Sequence, residues 1–227
     1  MEGMVTVENM AEILGNDTFM LDLSGSWPTA HVENRMNNQS DHREFIHCTD
    51  LDGRICFVNS AWKEFAMENN WALGGTKALG SNLNAVITDP QTRHLYSLLM
   101  ERVRESGRVA RFGYRCDSPD CRRLMEMRMQ YQDAFKQFEF RSRVLHMEWR
   151  EPIALLDSRQ ATRSSDTLLV CSWCKSALAD QTWVEVEQAV TKLRLFAADS
   201  LPCISHGICP NCSERMSRFA RQARDPA

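Results

Sequence analysis

The chain has 227 residues, a formal net charge of −3, 43% hydrophobic and 25% charged residues. That length accommodates one domain of about 100 to 150 residues plus a smaller module, and the composition excludes global disorder. The near-balanced charge offers no broad attraction to nucleic acid or acidic lipid, so neither is an expected partner, although a local basic face stays compatible with the first.

The opening "MEGMVTVENMAEILGNDTF" has neither a basic leader region nor a long apolar run. No stretch approaches the roughly 18 apolar residues needed to cross a bilayer. The expectation is a cytoplasmic protein whose nine cysteines meet a reducing environment, where CxxC pairs hold metal more often than they form disulfides. Residues 1–42 read as an extension, with Val7, Met10, Ile13 and Leu14 in helical spacing. Residues 7–14 are the candidate interface of a homodimer.

From Glu44 the pattern changes. "EFIHCTD", the Asp52-Gly53 turn and "ICFVN" read as a hairpin. "SAWKEFAMENN" places Ala61, Trp62, Phe65 and Ala66 at helical spacing, with Ser60 as the N-cap. A longer helix carries Leu95, Leu98, Leu99 and Val103 and ends near Gly107. Three strand-like runs follow: "RVARFGYRCD", "CRRLMEMRMQYQD" and "FEFRSRVLHMEW". In the middle run the methionines alternate with Glu126, Arg128 and Gln130, which puts the sulfurs on one face. The order of elements defines an α+β unit with an antiparallel sheet and helices on one face.

This order, with "DLDGRICFVNSAW" at its start and "ALGSNL" before the long helix, resembles a PAS domain over about residues 43–150, within a domain expected to span 43–157. The resemblance implies a five-stranded sheet curled around a cavity and used for sensing, cofactor binding or dimerisation. Haem is one candidate occupant, with His94 as its ligand on the long helix; Met125, Met127, Met129 and His146 are other axial possibilities. His47 and Cys48 alternate along the first strand of the hairpin, so at most one of them lines a cavity. Arg115, Arg122 and Arg123 flank a Ser118-Pro119-Asp120 turn, either as a solvated hairpin end or as a site for an acidic partner.

Residues 158–167, "SRQATRSSDT", read as a polar linker to a C-terminal module at 168–227. There Cys171-x2-Cys174 and Cys209-x2-Cys212 match the spacing with which two thiolate pairs close on one tetrahedral zinc ion. The second pair opens a helix-like run, so the module reads as a treble-clef-like or ribbon-like finger. His206 and Cys203 lie close enough in sequence to be alternative ligands or hydrogen-bonding neighbours.

The segments "CSWCK" and "SHGICPNC" resemble cysteine-rich tails of bacterial signalling proteins, which implies a signalling context without specifying a reaction. No phosphate loop or nucleophile–base constellation accompanies them, so no enzyme activity is expected. The expected function is that of a signalling or adaptor protein with a structural zinc module, acting on an unidentified signalling partner. A haem-type or other cofactor-bearing gas or redox sensor is the first alternative. Nucleic-acid binding through Arg215, Arg218 and Arg221 on the last helix is the second.

Overall fold

The protein is described here by a computed structural model covering residues 18–20, 41–69, 77–87, 89–157 and 162–222. The dimerisation helix expected at residues 7–14 lies outside the described residues.

The body is an α+β unit built on a five-stranded antiparallel sheet. Its strands are β2 (Glu44–Thr49), β3 (Ile55–Val58), β4 (Val109–Arg115), β5 (Cys121–Gln132) and β6 (Gln137–Trp149), in the order β4-β5-β6-β2-β3. A short β1 (Thr18–Met20) pairs in parallel with β4 and adds a sixth strand from the extension.

The strict alternation of β5 decides what each sheet face meets. Met125, Met127 and Met129 are buried on the inner face, opposite Tyr114, Phe112 and Ala110 of β4. The other face carries Arg111 and Arg143, both paired with Glu126 at 2.8 and 2.9 Å. The helices α1 (Ser60–Glu68), α2 (Leu83–Val86) and α3 (Pro90–Ser106) belong to the inner side, where Trp62 and Phe65 meet Phe45 and Ile55.

Helix ends follow from local chemistry. Asp89 caps α3 by accepting from Thr92 N at 2.7 Å, Pro90 occupies the first turn, and Gly107 closes the helix in the left-handed region at φ 67°. The N-cap of α1 is Asn59 rather than Ser60. Asn59 accepts from Trp62 N at 2.9 Å and Ile46 N at 3.1 Å, and donates to Glu44 O at 2.8 Å. A serine hydroxyl is too short to tie the helix start to β2 and still cap it, whereas an amide offers both an acceptor and a donor.

The C-terminal region forms a second sheet, β10-β7-β8-β9, from β7 (Arg163–Cys171), β8 (Ala177–Ala179), β9 (Thr182–Val184) and β10 (Leu201–Gly207). Two helices complete it, α4 (Val186–Lys192) and α5 (Pro210–Gln222). β7 begins at Arg163, so residues 163–167 are strand where the sequence reads as linker. The guanidinium of Arg163 donates to the carbonyls of Pro202, Leu155 and Asp157 at 3.0, 3.1 and 2.8 Å. Polar composition there serves a strand edge and a carbonyl cluster instead of a free tether.

The two sheets share one hydrophobic core: Leu95, Leu99 and Val103 of α3 and Phe112 of β4 pack with Trp173, Ile208, Met216 and Phe219. Replacing Asn59 by alanine is expected to cost roughly 2 to 3 kcal/mol of unfolding free energy, since three hydrogen bonds join α1 to β2 through it. Urea denaturation of the Asn59→Ala variant measures this, and an unchanged midpoint would contradict the role assigned to the amide.

Candidate metal centre and adjoining cavity

Strands β7 and β10 run parallel as neighbours, with Gly207 in register with Cys171, so both chains leave the sheet at the same end. Each then turns through a CxxC knuckle. In the first, Lys175 sits in the left-handed region at φ 62° and its N–H returns to Cys171 O at 3.0 Å. In the second, Cys212 lies in the first turn of α5. Ser172 N donates to Gly207 O at 2.8 Å and binds one knuckle to the other. A Cβ at position 207 would come 3.0 Å from Leu169 Cδ1, so the Leu169 side chain would have to shift to admit one.

As a result the sulfurs of Cys171, Cys174, Cys209 and Cys212 all lie within 4.8 Å of one another. Cys174 Sγ and Cys209 Sγ are 3.8 Å apart. A tetrahedral zinc with bonds of about 2.3 Å requires sulfur–sulfur edges of about 3.8 Å, so the donor set and its dimensions fit such an ion. Backbone N–H groups already point at sulfur, from Cys209 to Cys171 Sγ and from Cys212 to Cys209 Sγ, each at 3.4 Å. Such donors favour thiolates. All nine cysteines are free thiols.

Packed this closely, the thiols do not share charge evenly. Hydrogen bonding with Cys174 pushes Cys171 up, and bonds with Cys209 and Cys212 pull it down to about 7. Cys174 is pulled strongly down, first by Cys171 and then by Cys209 and Cys212. Cys209 and Cys212 are driven up, because their bonds to Cys171 and Cys174 keep them protonated. Only a cation inside the cluster would allow all four to ionise together.

The neighbouring candidates fall outside the cluster. His206 is exposed on β10, its pKa lowered by desolvation and then by Lys175, and it is not among the converging donors. Cys203 is also exposed and donates to Ser164 O at 3.5 Å. Both residues lie on the extended β10, which ends before the second knuckle, so neither contributes a donor to the four-sulfur cluster.

One residue of the site was not singled out in the sequence. Trp173, between the first two ligands, is buried in the shared core. Its indole N–H donates to Gly113 O at 3.1 Å, and its own carbonyl accepts from Arg115 N at 2.8 Å. Its ring lies 5.4 Å from that of Phe112 and 5.6 Å from that of Tyr96. The available signal was a large aromatic inside a CxxC knuckle, where solvent exposure would waste it.

Two of the arginines flanking the β4–β5 turn, Arg115 and Arg122, join the same two units. Arg115 pairs with Asp117 and, at 2.7 Å, with Glu185. Burial works against its charge, yet the Asp117 and Glu185 carboxylates hold it above the ordinary arginine range. Arg122 and Arg150 both grip Glu187 of α4, at 2.7 and 2.6 Å. Arg123 donates to Asn69 Oδ1 at 3.2 Å and lies over the Phe65 ring. These side chains are thus partnered within the chain.

Inside the body, a cavity of about 390 Å³ separates the sheet from the helices, lined in part by Trp62, Tyr96, Tyr114, Met125 and Met127. His47 lines it and stacks on Phe140 with ring centroids 4.6 Å apart, while Cys48 belongs to the opposite face. His94, the candidate ligand on the alternative haem reading, is exposed on α3 and does not line the cavity; the helix buries Leu95 and Leu99 instead. His146 is likewise exposed, whereas Met129 is buried in the core.

On α5, Met216 and Phe219 are buried, Arg218 is exposed and pairs with Glu214 at 2.7 Å, and Arg215 is half-buried. The Arg221 side chain lies outside the described residues. Among the described residues no helix is long and apolar enough to cross a membrane. No protein-family model matches the chain, and no curated protein matches it in sequence.

Two outcomes are expected. Protein purified without added metal carries about one zinc per chain, and Cys171→Ser or Cys209→Ser abolishes this and lowers stability by more than about 3 kcal/mol, as elemental analysis and denaturation would show. The second concerns His47, whose pKa burial lowers from 6.5 to about 4. Between those pH values the unfolded chain takes up a proton that the folded chain refuses. Stability therefore falls as pH drops through that window, by on the order of 3 kcal/mol in total. A His47→Phe variant should lose this part of the pH dependence, and identical pH profiles would contradict the assignment.

Proposed function

We propose that this chain is a signalling or adaptor protein in which a PAS-like domain is clamped to a zinc-stabilised module and acts by protein–protein interaction. The strand order β4-β5-β6-β2-β3, the helices on one face and the cavity between them support the PAS-like reading. The four converging sulfurs support a structural zinc with no open coordination position for chemistry.

The observation that carries the proposal is the placement of Trp173. Through it the metal knuckle touches Tyr96, which also lines the cavity, and hydrogen-bonds to β4 at Gly113 and Arg115. A change in cavity packing therefore bears on the knuckle through contiguous side chains. The module's surface then presents that change to a partner protein or a second copy of the chain. On this reading the arginines of α5 serve the helix surface, with Arg218 neutralised by Glu214.

The test is hydrogen exchange with and without chelator. Stripping the metal is expected to raise exchange not only in the knuckles but also in α3 and β4, which share a core with Trp173. Exchange confined to residues 163–222 would mean that the module is an independent appendage, and the proposed coupling would be withdrawn.

A further inference from the structure

The cavity has a volume of about 390 Å³. An apolar cavity of roughly 150 Å³ holds one benzene ring, so this one has room for a planar molecule of two or three fused rings. Phe45, Trp62, Phe65 and Met125 provide apolar and aromatic walls. Among the described residues no lysine, arginine, aspartate or glutamate lines it; besides the Trp62 indole, its polar side chains are His47, Tyr96, Tyr114 and Ser142.

All four are neutral at pH 7. Burial holds His47 down at about 4, raises Tyr96 to about 12 and raises Tyr114 further. A carboxylate or ammonium placed here would lose its hydration and find no countercharge among the described residues.

The remaining hydrogen-bonding capacity selects further. The Tyr114 hydroxyl donates to Ser142 Oγ at 3.1 Å, and the Ser142 hydroxyl donates to Met127 Sδ at 3.3 Å. Both protons are committed, so the Tyr114 oxygen is left as an acceptor. His47 has ring contacts with Phe140 and Trp62. Among the described residues its ring has no hydrogen-bond partner, so a neutral imidazole also faces the space.

We propose that this cavity binds a neutral, planar aromatic molecule of two or three fused rings whose hydroxyl or N–H group donates to the Tyr114 oxygen. The inference rests on reading the body as a sensor domain, and it adds the chemical class of what is sensed. Trp62, Phe45 and Phe65 hold the rings, and the lack of a countercharge among the described lining residues rejects acids and amines of the same shape.

The test uses 2-naphthol, 2-methoxynaphthalene and 2-naphthoate, titrated calorimetrically into the metal-loaded full chain. The expected order is 2-naphthol at least about fivefold tighter than the methyl ether, which has no donor, with 2-naphthoate on the order of a hundredfold weaker or undetectable. A Tyr114→Phe variant should lose about five- to tenfold in affinity for 2-naphthol and little for the ether. If that variant does not fold, the three-ligand comparison on the wild-type chain still decides. Equal affinity of 2-naphthol and its ether, binding of 2-naphthoate as tight as that of 2-naphthol, or no binding by any of the three would overturn the proposal. In the last case, chelation that still loosens α3 and β4 would leave the adaptor reading standing, whereas loss of that coupling counts against the adaptor reading alone.

Discussion

The structure turns on one constraint: two parallel strands, β7 and β10, end side by side, so four thiols that are far apart in sequence meet within 4.8 Å. Four thiols in such contact, three of them buried and Cys174 half-buried, cannot all carry charge unaided, and a divalent cation would remove that conflict while fixing both knuckles. The arrangement of the module follows. β8 and β9 fill the space after the first knuckle, α4 leads back toward β10, and α5 starts on the second knuckle. The module has a small core of its own, with Leu155, Leu168, Val170, Val186 and Leu201 buried together. It adds to the larger core by inserting Trp173, Met216 and Phe219 against α3 and β4.

A second set of contacts reinforces the first by different physics. Arg115, Arg122 and Arg150 reach from the body to Glu185 and Glu187 at the start of α4. Arg115 is buried, and a buried cation is tolerated only with partners placed on it from several sides. These pairs set the register of the module on the sheet more than they add to its stability. Together with the Trp173 bonds to Gly113 and Arg115, they make the interface polar at its edge and aromatic at its centre. On the proposed reading, that is what allows a sensor domain and its metal module to respond as one body.

Much of this was legible in the sequence. CxxC spacing is a local signal, and it identified all four converging cysteines. The alternation of Met125, Met127 and Met129 marked the inner face of β5, and the Gly107 helix stop followed from backbone freedom alone. What escaped was non-local. The pairing of β10 with β7 joins strands some forty residues apart, so residues 163–167 passed for a linker. His94 has the right residue type on the right helix, but a shift of one or two positions on a helix changes the face, and Tyr96 takes the cavity side. Arg115 and Arg122 looked solvated because Glu185 and Glu187, which tie them to the module, lie 70 and 65 residues away.

The central claim is a metal held by the four cysteines as a clamp between two units. Zinc K-edge X-ray absorption on the protein as purified tests it most directly. The account predicts a first shell of four sulfurs at about 2.3 Å with no nitrogen or oxygen ligand. A shell containing an imidazole nitrogen or an exchangeable water, or no bound zinc at all, would contradict it.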